Sequence, residues 1–234
     1  MKNNLFVLLL CIICFTPGII NSCKKENTPS PPTNIGTAIS FTEEFENVNA
    51  LPTKGWVIKD NSQGLSTSGP NAVWAQGLMS YDKGGSWSGF SAYSYTVLQD
   101  EFTYSLVYSN PNNATISSWL VTPVLSIKNG DKFSFYTRGD TAGTYTNRMQ
   151  VRINNSSSNE VGSSPNSVGG FTSVLMDINA AQTSGGYPVN WTKYEHIFSG
   201  INGKTDTRIA FRHFLSSSPN AKGIGIDQFK FQVN

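Results

Sequence analysis

Catalysis would first be sought at two histidines, three cysteines and a scatter of carboxylates. The cysteines, Cys11, Cys14 and Cys23, all lie in the first 23 residues, so no thiol nucleophile is left for the body of the chain. His213 sits in Phe211-Arg212-His213-Phe214, an apolar and aromatic setting that suits a packed or hydrogen-bonded imidazole better than a general base. Gly85-Ser86-Trp87-Ser88-Gly89 has the look of a nucleophile elbow, but its serine is misplaced and no strand-to-helix pattern surrounds it. Gly223-Ile224-Gly225 lacks the third glycine and the following helix of a dinucleotide loop. Glu43, Glu44, Glu46, Asp177 and Glu195 are carboxylates of the kind that flank a scissile glycosidic bond, yet no spacing singles out a pair. The sequence reads as that of a protein that is not an enzyme.

Two other chemistries are better supported. Calcium takes six to eight oxygens from carboxylates and carbonyls. Glu44 and Glu46, on a first strand, and Asp227, on the last, supply such oxygens if the terminal strands pair. The other reading of these acids is solvated charge at a strand edge. The second chemistry is aromatic. Between Tyr81 and Tyr108 lie Trp87, Phe90, Tyr93, Tyr95, Phe102 and Tyr104, set among glycines and serines. Exposed rings stack on the apolar faces of sugars, with a few polar side chains fixing the hydroxyls. Trp87 and Tyr93 are the expected platform, with Arg138 or Asn147 as hydroxyl partners. The alternative is that this insert folds back and buries its rings against the domain.

The elements that must position these residues are strands. Phe41 and Phe45, Met149, Val151 and Ile153, and Ile209 and Phe211 recur with period two, and no segment keeps a helical period over three turns. Glycine- and serine-rich stretches such as 154–170 separate the runs. This pattern predicts an all-β fold, a jelly-roll β-sandwich of two antiparallel sheets. Trp56, Trp119, Phe133, Phe135, Ile209, Phe211 and Phe229 are the expected core. Apolar runs at Trp119 to Ile127 and Phe133 to Tyr136 flank Lys128-Asn129-Gly130-Asp131, which predicts a hairpin with its first strand interrupted at Pro123. In the last strand Ile224 and Ile226 share one parity, while Phe229, Phe231 and Val233 take the other. The slip predicts a bulge at Asp227-Gln228, which either re-aims Asp227 or leaves it capping a strand end.

The start of the chain sets its compartment. Lys2 precedes an unbroken apolar run from Leu5 to Phe15, well short of the ~20 residues that span a bilayer. It ends in Ile20-Asn21-Ser22-Cys23, which resembles a bacterial lipobox. Residues 1–22 are thus expected to be a lipoprotein signal peptide with Cys23 the lipidated first residue. Residues 23–37, polar and proline-rich, form a tether, and 38–234 form one domain, large enough for a core without staples. Removing Lys2 from the seventeen basic side chains leaves sixteen against fifteen acidic ones. That balance argues against nucleic acid as a partner.

Four motifs occur in order: Gly55-Trp56, Ser118-Trp119-Leu120-Val121-Thr122-Pro123, Ile209-Ala210-Phe211-Arg212-His213-Phe214 and Ile224-Gly225-Ile226-Asp227. Together they resemble the cleaved-adhesin, or choice-of-anchor J, domains of Bacteroidetes surface proteins. The resemblance implies a jelly roll, structural calcium and kinship in shape with carbohydrate-binding modules. Where such domains often carry an acid-rich Asp-Gly loop, this chain has Asp60-Asn61-Ser62-Gln63-Gly64. The expected function is a non-catalytic adhesin-like lipoprotein of the outer membrane, facing the cell surface and binding a glycan or protein ligand. The alternative is a structural or protein-interaction module of an envelope complex.

If Cys23 carries the anchor, several acyl chains at ~0.8 kcal/mol per buried CH₂ hold the protein firmly. Cys23→Ala is expected to leave the protein unprocessed or released from the membrane fraction. Equal membrane retention of that variant, with no acyl mass on the wild type, would contradict the lipobox reading.

Overall fold

The computed structural model describes residues 39–65, 73–79, 86–107, 114–140, 144–216 and 220–234, with backbone alone for Ser86 and Trp87. Cys23 and the tether lie outside the described residues. In chain order the strands are β1 (Phe41–Glu43), β2 (Val57–Asp60), β3 (Trp74–Leu78), β4 (Ser86–Trp87), β5 (Thr103–Leu106), β6 (Ile116–Val121) and β7 (Leu125–Ile127). There follow β8 (Lys132–Gly139), β9 (Met149–Asn154), β10 (Ser173–Ile178), β11 (Thr192–Ile197), β12 (Thr205–Leu215) and β13 (Gly223–Gln232). A 3₁₀ turn, Val48–Lys54, joins β1 to β2. One sheet has the order β11-β8-β13-β5-β3-β4, with β1 also on β13; the other is β10-β9-β12-β6-β2, with β7 also on β12. All pairings are antiparallel except the short β3–β4 contact. The fold is a two-sheet β-sandwich, as the period-two pattern requires.

β13 organises the first sheet. It pairs with β8 on one side, and on the other with β5 through Gly223–Ile226 and then with β1 through Phe229–Phe231. The change of partner coincides with the bulge. Asp227 opposes Tyr136 and Lys230 opposes Ser134, so β13 carries one extra residue there, with Gln228 in the left-handed region at φ 47°. Before the slip Ile224 and Ile226 face the core, and after it Phe229 and Phe231 do.

Between the sheets the aromatic rings meet mostly edge to face. Phe211 lies 4.9 Å from Phe135 and 5.9 Å from Phe229, and Phe229 lies 5.4 Å from Trp56, at interplanar angles of 71°, 83° and 84°. Trp56, Phe133, Phe135, Ile209, Phe211 and Phe229 are all buried there. Trp119 is equally buried, but on the outer side of the second sheet. Leu120 takes the inward position on β6, so its neighbour Trp119 must point away. A long segment after β9 covers it, packing Val161 and Phe171 against Trp119, Val121 and Ala210. The Arg212 guanidinium lies 4.6 Å from the Trp119 ring and 3.7 Å from that of Phe214. It donates to Ser117 Oγ and to the carbonyl of Pro165 in the covering segment. Burial, then repulsion from Arg152 and Arg148, brings its pKa down to about 9.

The expected hairpin between β7 and β8 does not form. The reversal itself is present, with Gly130 at φ 88° and Asp131 N–H donating to Lys128 O. Yet β7 pairs with β12 in one sheet, while β8 lies between β11 and β13 in the other. Leu125 and Ile127 on one strand and Phe133 and Phe135 on the other all contribute to the same buried core. Crossing from sheet to sheet lets them face one another across it, which a hairpin would prevent.

Phe211→Ala is expected to cost ~3–5 kcal/mol, because both sheets close over this ring. Ile197→Ala, on an exposed side chain of β11, should stay within about 0.5 kcal/mol of wild type. Urea unfolding of the two variants measures the contrast.

Candidate functional site

Outward side chains of the first sheet follow from the register. On β8 Phe133 and Phe135 face the core, so Lys132, Ser134 and Tyr136 face out. Directly opposed residues share a face, which adds Lys193 (opposite Tyr136) and Glu195 (opposite Ser134) from β11, and Lys230 (opposite Ser134) from β13. Tyr93 arrives on this face from the segment between β4 and β5. Its ring stacks on Tyr136 with centroids 3.6 Å apart and planes 15° apart, and the two hydroxyls are 2.9 Å apart. That hydrogen bond raises the Tyr93 phenol above its ordinary value, while Lys230 and Lys193 pull it down. Tyr93 remains 43% exposed.

Two carboxylates fix the loop that carries Tyr93. Asp227, the last residue before the bulge, is fully buried and accepts the N–H of Tyr93 at 2.8 Å and of Ser94 at 3.0 Å on one oxygen, and that of Gln228 on the other. Its carboxyl is raised to about 7: burial is the largest cause, three backbone N–H donors offset part of it, and the Glu44 charge adds to it. Further along, Glu101 accepts the N–H groups of Thr96, Val97 and Leu98 at 2.7, 3.2 and 3.1 Å. Burial alone would raise the Glu101 carboxyl, but these bonds outweigh it and hold it below the usual range. The near end of the loop is packed. Phe90 and Ala92 cluster with Phe102, Tyr104 and Leu106, Trp191 packs against them, and the Trp191 indole donates to Ser91 O at 2.9 Å. The insert thus does both things its composition allows: it buries Phe90, Phe102 and Tyr104 and exposes Tyr93, Tyr95, Val97 and Leu98.

The expected residues are distributed as follows. Tyr93 lies on the exposed face, and the Trp87 side chain lies outside the described residues. Arg138 and Asn147 do not join Tyr93 as hydroxyl partners. Arg138 is buried with its guanidinium 4.1 Å over the Phe90 ring, and Asn147 is buried between Gly223 O and Lys222 N–H. Both are spent on holding the loop and the start of β13. Glu44 and Asp227 come together around Gln228, whose side-chain nitrogen is 3.4 Å from both Glu44 oxygens. Glu46 instead lines a recess of about 270 Å³ with Gln76, Asp100 and Glu101. Asp227 accepts from N–H donors and Glu46 lines a separate recess, so the three acids expected to hold calcium are not gathered into one cluster. Among the described residues no group of three acids, histidines or cysteines is placed to hold a metal. Tyr136, Glu101, Lys193 and Lys230 were not singled out from the sequence. Tyr136 carried a signal, an aromatic ring at the outward parity of an otherwise core-facing strand.

The candidate catalytic groups have structural partners. His213 is buried, with Nδ1 3.1 Å from Ser105 Oγ, and burial drives its pKa down to about 3. Glu43 pairs with Lys54 at 2.9 Å, and Asp177 pairs with Arg148. No protein-family model and no curated protein matches the chain. Among solved structures, the K1 and K3 cleaved adhesin domains of Lys-gingipain from Porphyromonas gingivalis W83 are similar, with TM-scores of 0.50 and 0.51. Identities are 18% and 21%; 84% and 82% of this chain is covered, and 99% and 98% of those domains. The fold is adhesin-like. At these identities the likeness is one of architecture.

Asp227 makes the stability of this loop depend on pH. The unfolded carboxyl titrates near 3.8, whereas the folded one keeps its proton up to about 7. Its stabilising contribution is therefore complete below the unfolded value and is lost as pH rises through the folded one. Asp227→Asn is expected to remove that slope. Unfolding free energies measured at about pH 5 and about pH 8 should differ less in the variant than in wild type, by on the order of a few kcal/mol. Parallel profiles would contradict the assignment.

Proposed function

We propose that this chain is a non-catalytic binding domain, held at the outer membrane by a lipid on Cys23 and binding a glycan through the exposed sheet face around Tyr93 and Tyr136. The observation that carries the proposal is the stacked tyrosine pair. A solvent-facing ring, already flat against a second ring and held by a loop anchored at Asp227, meets a sugar face with little side-chain freedom left to lose. Supporting it are the engagement of His213, Glu43 and Asp177 in the fold itself and an architecture shared with domains named as cleaved adhesins.

A protein ligand is the second reading, and one observation favours it. Tyr95, Val97 and Leu98 stand exposed together at the loop tip, Val97 at 81%, where Glu101 fixes the backbone. An apolar patch of that kind on a rigid loop is a common mark of a protein contact.

Glycan-array screening separates the readings. Wild type is expected to retain glycans at roughly micromolar to millimolar affinity. Tyr93→Ala should weaken binding about tenfold or more, Tyr93→Phe should bind nearly as well as wild type, and both should melt close to the wild-type temperature. Binding unchanged in Tyr93→Ala would remove this face from the function.

A further inference from the structure

We infer that the glycan bound on this face is an acidic polysaccharide, one carrying carboxylates along its chain. The inference rests on the binding role proposed for the Tyr93–Tyr136 face and adds the class of ligand. Two ammonium groups border the tyrosine pair, Lys193 opposite Tyr136 and Lys230 opposite Ser134, and a third, Lys132, lies four residues along β8 on the same face. Against them, among the described residues, the face presents two carboxylates, Glu195 and, at its β1 edge beside Asp227, Glu44. Glu195 lies 3.5 Å from Lys132 and 3.6 Å from Lys193, so it is shared by two cations. Asp227 belongs to the same register row, but its oxygens are buried and directed to the loop N–H groups. No ion pair engages Lys230 among the described residues. Lys193 and Lys230 also lie close enough to Tyr93 to act on its phenol electrostatically. The chain after its leader is almost neutral, so this excess of positive charge is a property of the face.

The arrangement selects among anions. Lys193 and Lys230 stand on strands either side of β8 and two residues out of line, which places their backbones about 12 Å apart. Cations so spaced serve charges repeated along a chain better than a single compact anion. Lysine is a point charge without the planar fork of arginine, and Arg138, at the same parity as Tyr136, is buried over the Phe90 ring rather than free for bidentate capture of phosphate. Between the lysines lies the ring pair, which contributes nothing to an inorganic ion and stacks on a sugar. Hexuronate polymers combine an apolar ring face with a recurring carboxylate and match both features.

The test uses calorimetry with the mature chain and four probes: polygalacturonate, its methyl-esterified form, dextran sulfate and unmodified dextran. Expected is binding of polygalacturonate at least tenfold tighter than its ester or dextran, weakened at least tenfold by raising salt from about 50 to about 500 mM. The double variant Lys193→Gln/Lys230→Gln should lose about tenfold for polygalacturonate, while Lys59→Gln, on the other sheet, should not. Thermal melting of each variant confirms that it is folded. If the ester and dextran bind as well as the acid, and only Tyr93→Ala loses binding, the glycan reading stands and the acidic class is overturned. Capture of dextran sulfate without polygalacturonate overturns the carboxylate assignment. If no probe binds wild type, the glycan reading falls with it.

Discussion

A carboxylate removed from water has to find donors, and Asp227 finds its donors in three backbone N–H groups, two of them from a loop 134 residues earlier in the chain. Asp227 faces the loop by ordinary alternation from Ile226, and the extra residue beyond it returns Phe229 and Phe231 to the core. Without the loop, a buried acid would be left beside Glu44 with one donor. The exposed position of Tyr93, its stacking on Tyr136 and the course of the polypeptide over the first sheet all follow from this exchange. So does the partner change along β13, because the residue that supplies the carboxylate is also where β5 hands over to β1.

Both sheets cover part of their outer faces with chain of their own, by different chemistry. On the first sheet the cover is pinned by carboxylates accepting backbone N–H groups, at Asp227 and Glu101. On the second it is pinned by guanidiniums donating to backbone carbonyls: Arg152 to Phe171 and Thr172, Arg212 to Pro165. Each arrangement ties chain to sheet without a disulfide, for which residues 24–234 hold no cysteine. The first sheet is left partly open, along β11, β8 and the second half of β13, and that opening is where the exposed side chains with chemical interest gather.

Much of the fold was legible because a strand buried on one side writes its geometry in period two. Phe133 and Phe135, Ile209 and Phe211, and the parity slip between Ile226 and Phe229 led directly to the core and to the bulge. Local signals failed where the outcome depended on distant partners. Asn129-Gly130 announced a reversal but could not say whether its flanks would pair or cross the sandwich. Trp119 read as core because it is large and apolar, and only the inward position of Leu120, fixed by the whole sheet, shows that it faces the other way. The site was legible in one residue, Tyr93. Arg138 and Asn147 were chosen for their functional groups, yet a polar group inside a sandwich is consumed by the backbone around it. Lys193 and Lys230 gained meaning only when register placed them beside a ring.

The central position of β13 also bears on how the chain reaches its folded state. Ribosomes make this strand after all the other described strands, and until it exists the first sheet is two fragments, β8 with β11 and β5 with β3, while the core lacks Phe229 and Phe231. The second sheet can pair before then, but it has no completed partner to close over it, so the core of the sandwich closes only with the last strand.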